Sequence, residues 1–286
     1  MRSLLFVPAD SERKLTRSLE SGADALILDL EDSVVPANRG LARRQAREFL
    51  EAHGPERVRR YVRINPLASG LALDDLAATV GGRPDGILLP KCLPEDVRTL
   101  DHYLAAFETA AGAPLGPIRI VAIATETAQA MFQLGRYAGT SPRLEAITWG
   151  AEYLSAAIGG NNRTLAGDYD GPYRLARSLC LLAASAAEVI AIDTIFTDFR
   201  DPEGLKAECA AAKRSGFAAK MAIHPAQLAV INDAFSVSPE EREWAKRVVA
   251  AFAANPDAGT LALDGRMIDK PHLTLARRLL GLREPA

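Results

Sequence analysis

The chain has 286 residues, of which 48% are hydrophobic, and a formal net charge of −2. That length is long for an ordinary domain and normal for a single α/β barrel, and the apolar fraction is enough for a large core. The near-neutral charge, with Lys and Arg scattered rather than striped, excludes an electrostatic nucleic-acid or membrane-surface binder.

The chain opens on "MRSLLFVPAD", whose apolar run is too short for a signal peptide and meets Pro8 and Asp10 at once. Eight short apolar runs follow one another: 3–7, 25–30, 60–64, 86–90, 118–125, 144–150, 189–195 and 218–223. Their continuous rather than alternating apolar character suits parallel strands buried on both faces. The segments between them read as helices. "SERKLTRSLESG" starts at Ser11 as an N-cap and stops at Gly22. "SPEEREWAKRVVAAF" has Ser238 before Pro239 and acids in its first turn, a strong start signal. Eight β/α repeats predict a (β/α)8 TIM barrel. A doubly wound open sheet is the alternative, but no G-x-G-x-x-G follows the first strand, so a dinucleotide-binding version has no support.

Two stretches depart from a plain barrel. Between the sixth and seventh runs the chain detours through "IGGNNRTLAGDYDGPY" before the helix "RLARSLCLLAASAA". Loops of that length in compact domains are usually functional or mobile. After the eighth run about sixty residues remain, where a barrel needs only one more helix. The expected division is a barrel over 1–236 and a C-terminal helical extension over 237–286 that acts as a lid. The three cysteines, Cys92, Cys180 and Cys209, lie far apart without a C-x-x-C pair and read as reduced thiols in a cytoplasmic protein. No stretch approaches a membrane span. The sequon at Asn162 is read as a chance match.

In barrel enzymes the loops after the strands build the site. Those loops carry Asp29, Glu31 and Asp32; Arg63 and Asn65; Lys91; Glu126 between two threonines; Glu152 and Tyr153; Asp193, Asp198, Arg200 and Asp201; and His224. Each alone has an ordinary reading. Acids near helix starts cap and favour the dipole, a lysine snorkels, and a histidine caps or fills space. Taken together, Arg63, Glu126 and the Glu152-Tyr153 pair converge on one mouth from different strands. That set suits a hard cation and an anionic substrate, and carboxylate oxygens suit Mg²⁺. Four scattered histidines, with no H-E-x-x-H, argue against zinc. There is no G-x-S-x-G elbow and no P-loop.

The blocks "RSLLFVPAD", "GADALILDLEDSV", "VRINP", "GILLPK", "TETA", "WGAE", "FTDFRDPEGL", "AIHPAQ" and "LDGRMID" resemble, in order and nearly end to end, the citrate lyase beta-subunit-like proteins. Those belong to the wider group of malyl-CoA and citramalyl-CoA lyases. The resemblance implies a (β/α)8 barrel, trimeric or hexameric, that cleaves or forms 3-hydroxyacyl-CoA thioesters with Mg²⁺. It implies that Arg63 holds thioester or keto-acid oxygens and that Glu126 is a metal ligand. It places Glu31 and Asp32 behind metal-bound waters. It makes Asp269 the catalytic acid/base, reaching a neighbouring subunit's site from the C-terminal extension. Arg13, Lys14 and Lys91 are candidates for CoA contacts, with plain surface charge the competing reading. In the family the hexapeptide at 149–154 usually runs on to G-A-E-D-L, with the Asp as a second metal ligand; here Tyr153 stands in its place. Three consequences are open: Glu152 swings in as the ligand, the metal binds more weakly through Glu126, water and substrate, or Tyr153 hydrogen-bonds the substrate and the usual chemistry is lost. Weakened or altered metal binding is the leading expectation. Rival functions are an aldolase acting on free hydroxy-keto acids, a malyl-CoA-type thioesterase, and a catalytically impaired acyl-CoA-binding barrel.

Overall fold

The computed structural model describes residues 1–54 and 58–282. Its first compact unit, Met1–Phe235, is a closed barrel of eight parallel strands in sequential order. The strands are β1 (Ser3–Pro8), β2 (Ala25–Asp29), β3 (Arg59–Arg63), β4 (Gly86–Leu89), β5 (Arg119–Ile123), β6 (Leu144–Thr148), β7 (Ile190–Asp193) and β8 (Ala219–Ala222). Closure comes from β1 pairing with β8, Ser3 opposite Lys220. The helices between them are α1 (Glu12–Ser18), α2 (Arg39–Ala52), α3 (Ala72–Thr79), α4 (Pro94–Ala110), α5 (Ala128–Met131), α6 (Ala151–Ile158), α7 (Gly171–Ala186), α8 (Pro202–Ser215) and α9 (Leu228–Ala234). The apolar runs 118–125, 144–150 and 189–195 overshoot their strands, because the residues beyond β5, β6 and β7 belong to the loops above them. Helix α1 also ends earlier than its sequence suggests. It is capped at Leu19, Ser11 makes no side-chain capping bond, and Gly22 lies beyond it with φ +79°.

Strand residues alternate between two cores. Leu4, Ile27, Tyr61, Leu88, Val121, Ile192 and Met221 fill the barrel interior, while their neighbours pack outward against the helices. Each fully buried leucine or isoleucine contributes roughly 1.5–3 kcal/mol.

The outward layer holds a charged knot around Lys220. Lys220 on β8 is 0% exposed. Its ammonium donates to Asp193 Oδ2 at 3.1 Å, Glu208 Oε1 at 2.8 Å and Thr194 O at 2.7 Å. Asp193 also accepts from Trp149 Nε1 at 2.7 Å and Arg177 Nε at 3.1 Å. Asp193 therefore does not serve the barrel mouth, as its place at a strand end suggested. It shares the helix-facing side with Ala191, one residue out of step with the inward Ile192.

The second unit, Ser236–Ala286, is described to residue 282. Helix α10 (Pro239–Ala254) starts at the expected Ser238, where Ser238 Oγ accepts from Glu241 N at 3.1 Å and Glu241 Oε2 accepts from Ser238 N at 2.8 Å. Between it and α11 (Lys270–Leu279) the segment expected to be helical contains an antiparallel hairpin, β9 (Thr260–Leu263) and β10 (Arg266–Asp269). Its two-residue loop, Asp264-Gly265, has φ +53° and +75°, the positive values a type I′ turn requires. Ala245, Val248, Phe252, Ile268 and Ala276 form this unit's own core.

Candidate functional site

The loop after β2 is organised by its first acid. Asp29 Oδ1 accepts from Glu31 N at 3.0 Å and Oδ2 from Ser33 N at 3.1 Å, which folds "DLEDS" back over the strand end. The same carboxylate takes Arg63 from β3 in a two-pronged pair, Nε to Oδ1 and Nη2 to Oδ2, both 2.6 Å. Arg63 Nη1 then lies 3.1 Å from Glu31 Oε2 and 3.4 Å from Asp32 Oδ2, and its guanidinium carbon sits 4.7 Å from the centre of the Phe6 ring. Burial alone would push Asp29 up, but the Arg63 hydrogen bonds and charge outweigh it and hold Asp29 below the usual carboxylate range.

Lys91, just past β4, has φ +49°. A non-glycine residue rarely adopts that conformation without surrounding support. The support is visible: its backbone N–H donates to Glu126 Oε2 at 2.6 Å, its ammonium pairs with Glu31 and lies 3.5 Å from Asp32 Oδ1, and it stands 4.0 Å above the Tyr153 ring. Burial together with Asp32 pushes the Tyr153 phenol up to about 12, so it remains a neutral hydrogen-bond donor.

Glu126, in the loop after β5, is 4% exposed. Burial pushes its carboxyl up to about 7 against the pull of the Lys91 N–H and the Lys91 and Arg63 charges. Glycine at 150 is a steric requirement, since a Cβ there would lie 2.8 Å from Glu126 Cγ. Gly150 N is tied to Thr125 Oγ1 at 3.0 Å, so the loops after β5 and β6 are locked together beside Glu126. Burial raises Glu31 above the ordinary range, opposed by Arg63 and Lys91 and reinforced by Asp32.

These groups surround a cavity of about 400 Å³ lined by Asp29, Asp32, Arg63, Glu126, Glu152 and Tyr153 on its polar side and by Phe6, Ile123, Ile195, Met221 and Ile223 on its apolar side. Arg63, Glu31, Asp32, Lys91, Glu126, Glu152 and Tyr153 thus belong to the barrel mouth or its immediate support. Glu152 stands in the first turn of α6 and accepts from Asn162 Nδ2 at 2.7 Å. Asp269 belongs to the second unit, where it caps α11 with its Oδ1 2.5 Å from His272 Nδ1.

Other strand-end residues do structural work. Asn65 is buried against Asp75 and Leu30 O, Asp201 caps α8 through Gly204 N at 2.9 Å, and His224 Nδ1 accepts from Ala226 N at 3.2 Å. Asp29 was visible in the sequence as the first acid of its loop, yet its role in holding Arg63 was not, because that pair forms only across β2 and β3. Phe6 carried no signal beyond a hydrophobic strand.

Among the described residues no three His, Cys, Asp or Glu side chains are grouped to hold a metal ion. The chemistry of the donors still fits a divalent cation that takes few protein ligands. Among the described residues no cationic side chain bonds the buried Glu126, and Glu31 Oε2 is buried without a hydrogen bond despite its nearness to Arg63. Mg²⁺ is typically held by one or two carboxylates, with water and substrate completing its octahedron. Among the described residues no helix is long and apolar enough to cross a membrane.

Residues 2–225 match the sequence model of a family described as HpcH/HpaI aldolase/citrate lyase. A (3S)-malyl-CoA thioesterase of Cereibacter sphaeroides is 35% identical over 289 residues, covering 99% of this chain and 94% of that protein. A mitochondrial citramalyl-CoA lyase of Rattus norvegicus is 30% identical over 302 residues, covering 98% and 85%. A crystal structure of the Mycobacterium tuberculosis protein CitE in complex with magnesium, acetoacetate and coenzyme A superposes with a TM-score of 0.78 at 34% identity, covering 98% of this chain and 97% of that one.

Proposed function

Because this chain belongs to the HpcH/HpaI aldolase/citrate lyase family, we propose that it is a carbon–carbon lyase for a 3-hydroxyacyl-CoA of the malyl, citramalyl or citryl type. The products of cleavage are acetyl-CoA and a keto acid. The observation that carries the reading is Arg63. It is fixed by both Asp29 oxygens at the rim of a cavity that also holds the buried Glu126.

In the cleavage direction the 3-hydroxyl loses its proton, the bond between C2 and C3 breaks, and its electron pair goes to the thioester enolate. The keto acid leaves, and C2 of the enolate takes up a proton. Negative charge develops at two places, and preorganised positive partners there supply the largest share of such catalysis. Arg63, permanently charged and already oriented, binds the carboxylate or oxyanion of the keto-acid half. A bound Mg²⁺, held by Glu126 with Glu31 and Asp32 behind its waters and Glu152 as a further carboxylate, would polarise the keto or hydroxyl oxygen as a Lewis acid. Lys91 balances Glu31 and Asp32, and Tyr153 offers a neutral O–H to the substrate. Asp269 exchanges the proton at the acetyl carbon, from a neighbouring subunit of a homotrimer or hexamer, with the C-terminal extension acting as a lid. The three free, buried cysteines, Cys92, Cys180 and Cys209, support a cytoplasmic location. The Mycobacterium tuberculosis complex with magnesium, acetoacetate and coenzyme A supports the choice of cofactor and substrate class.

A second reading, thioester hydrolysis, is favoured by the likeness to the malyl-CoA thioesterase. The two differ in products: a lyase leaves acetyl-CoA and a keto acid, a hydrolase leaves free CoA and an intact hydroxy acid. Incubation with malyl-, citramalyl- and citryl-CoA, with and without Mg²⁺, followed by mass detection separates them. Free CoA with an intact hydroxy acid would replace the lyase by the hydrolase, and no conversion of any thioester would leave a binding role.

A further inference from the structure

Asp269 stands at the junction of two ordered elements. It is the last residue of β10, paired with Thr260 across the hairpin, and it is the N-cap of α11. Lys270 and Pro271 open that helix, and the fixed φ of proline pre-sets its first turn. The turn brings His272 back over the cap. His272 Nδ1 lies 2.5 Å from Asp269 Oδ1 and 3.3 Å from Asp269 N.

One ring nitrogen cannot serve both contacts. An unprotonated Nδ1 accepts from the Asp269 N–H but sets its lone pair against a carboxylate oxygen. A protonated Nδ1 donates to that oxygen and gives up the N–H. The contact with the carboxylate is the shorter, and two such atoms come that close only with a proton between them. The hydrogen bond from His272 in turn holds the Asp269 carboxyl below the usual carboxylate range. A glutamate at this helix position, as in an ordinary capping box, would accept from the N–H but set a second negative charge beside Asp269. Histidine brings a donor instead. The Asp269 side chain is 32% exposed, so lone pairs that His272 does not use are open to a substrate.

We infer that His272 is the positioning residue of Asp269: with a proton on Nδ1 it grips Oδ1 and aims the carboxylate that exchanges the proton at the acetyl carbon. This rests on the acid/base role proposed for Asp269 and adds the group that orients it. In the condensation direction the carboxylate takes a proton from C2 of acetyl-CoA, and the C–H electron pair becomes the enolate. In cleavage the same proton returns to C2. His272 stays bonded to Oδ1 in both directions and touches no substrate. The competing role is structural, a cap for α11 and nothing more.

The test measures deuterium exchange into the methyl group of acetyl-CoA in heavy water with Mg²⁺ and a keto acid, beside kcat and KM for thioester cleavage. It compares the wild-type protein with His272→Leu and His272→Asn. The asparagine Nδ2 can stand near the place of Nδ1 and donate to Oδ1, and leucine cannot. His272→Leu should lower exchange and kcat by about 10- to 100-fold with KM unchanged, the scale of a misaimed reacting group, and His272→Asn should keep most of both. No loss in His272→Leu, a loss in KM alone, an equal loss in His272→Asn, or losses that track the melting temperatures of the variants would overturn the inference. Nitrogen-15 spectra of histidine-labelled protein give a readout that needs no turnover. The His272 proton should sit on Nδ1 and move to Nε2 in Asp269→Ala, where Nδ1 is left to accept from the N–H of position 269. An unprotonated Nδ1 in the wild-type protein overturns the inference whatever the activity. Exchange that depends on His272 without carbon–carbon cleavage leaves the inference standing while the lyase reading falls. Cleavage that His272→Leu leaves intact does the opposite, and a wild-type protein that shows neither exchange nor cleavage overturns both.

Discussion

The ammonium of Lys91 lies 4.0 Å above the ring of Tyr153. The ring is a soft partner for a cation that already faces Glu31 and Asp32. It adds no formal charge, so any Mg²⁺ seat here relies on Glu126 and its neighbours. Tyr153→Asp introduces a carboxylate, and Mg²⁺ affinity by calorimetry is expected to tighten several-fold or more. Unchanged affinity would place residue 153 outside the reach of the ion.

Arg63→Ala is expected to lower kcat/KM by ~10²–10³ or more, the range seen when a charge-stabilising donor is removed. It also leaves Asp29 buried without its cation, so a stability loss of ~3–5 kcal/mol is expected in denaturant unfolding. The double change Arg63→Met with Asp29→Asn removes the stranded charge and should regain much of that stability while staying inactive. Recovery of activity along with stability would show that Arg63 is only a structural group.

The knot around Lys220 supports the opposite wall of the barrel. Lys220→Met removes one of two cations from Asp193 and Glu208, which contact the ammonium at 3.1 and 2.8 Å and keep Arg177 and Arg163, and should destabilise by up to ~3–5 kcal/mol. Burial would raise Asp193, but Lys220, Arg177 and the Arg177 and Trp149 hydrogen bonds hold it below its ordinary 3.8. A carboxyl with a lowered pKa gives stability that is fully present above its unfolded value and is lost as pH falls through the folded one. The wild-type protein should therefore lose stability progressively below pH ~4, and Asp193→Asn should show a shallower slope there. Identical slopes in the two proteins would mean that Asp193 does not carry this dependence.

Asp269→Asn is expected to be inactive alone. If Asp269 serves a site on another subunit, mixing it with Arg63→Ala under exchange conditions should restore activity, since one hybrid site then carries both wild-type groups. Absence of recovery in hybrids verified by native mass spectrometry would confine each site to one chain.

The barrel was legible because its strands are buried on both faces, which leaves unbroken apolar runs that alternate with helical stretches. Arg63, Glu126 and the 152–153 pair were legible because a closed barrel must bring its strand ends to one mouth. Contacts between loops were not. The Lys91–Tyr153 stack joins the ends of β4 and β6, and no local pattern reports it. Asp193 was misplaced because a strand's last residue can face either way, and here the inward position falls to Ile192. The hairpin over 260–269 did carry a signal, the Asp264-Gly265 pair between apolar neighbours, but helical patterns on both sides of it masked a strand reading. Glu152 shows the limit for side chains. Its bond to Asn162 depends on the path of the long loop after α6.

The most direct measurement is the fate of the carbon skeleton. With a 3-hydroxyacyl-CoA labelled at the acetyl carbons and Mg²⁺ supplied, labelled acetyl-CoA and an unlabelled keto acid should accumulate in equal amounts, and Arg63→Ala should yield neither. Label that remains in an intact hydroxy acid beside free CoA would contradict carbon–carbon cleavage.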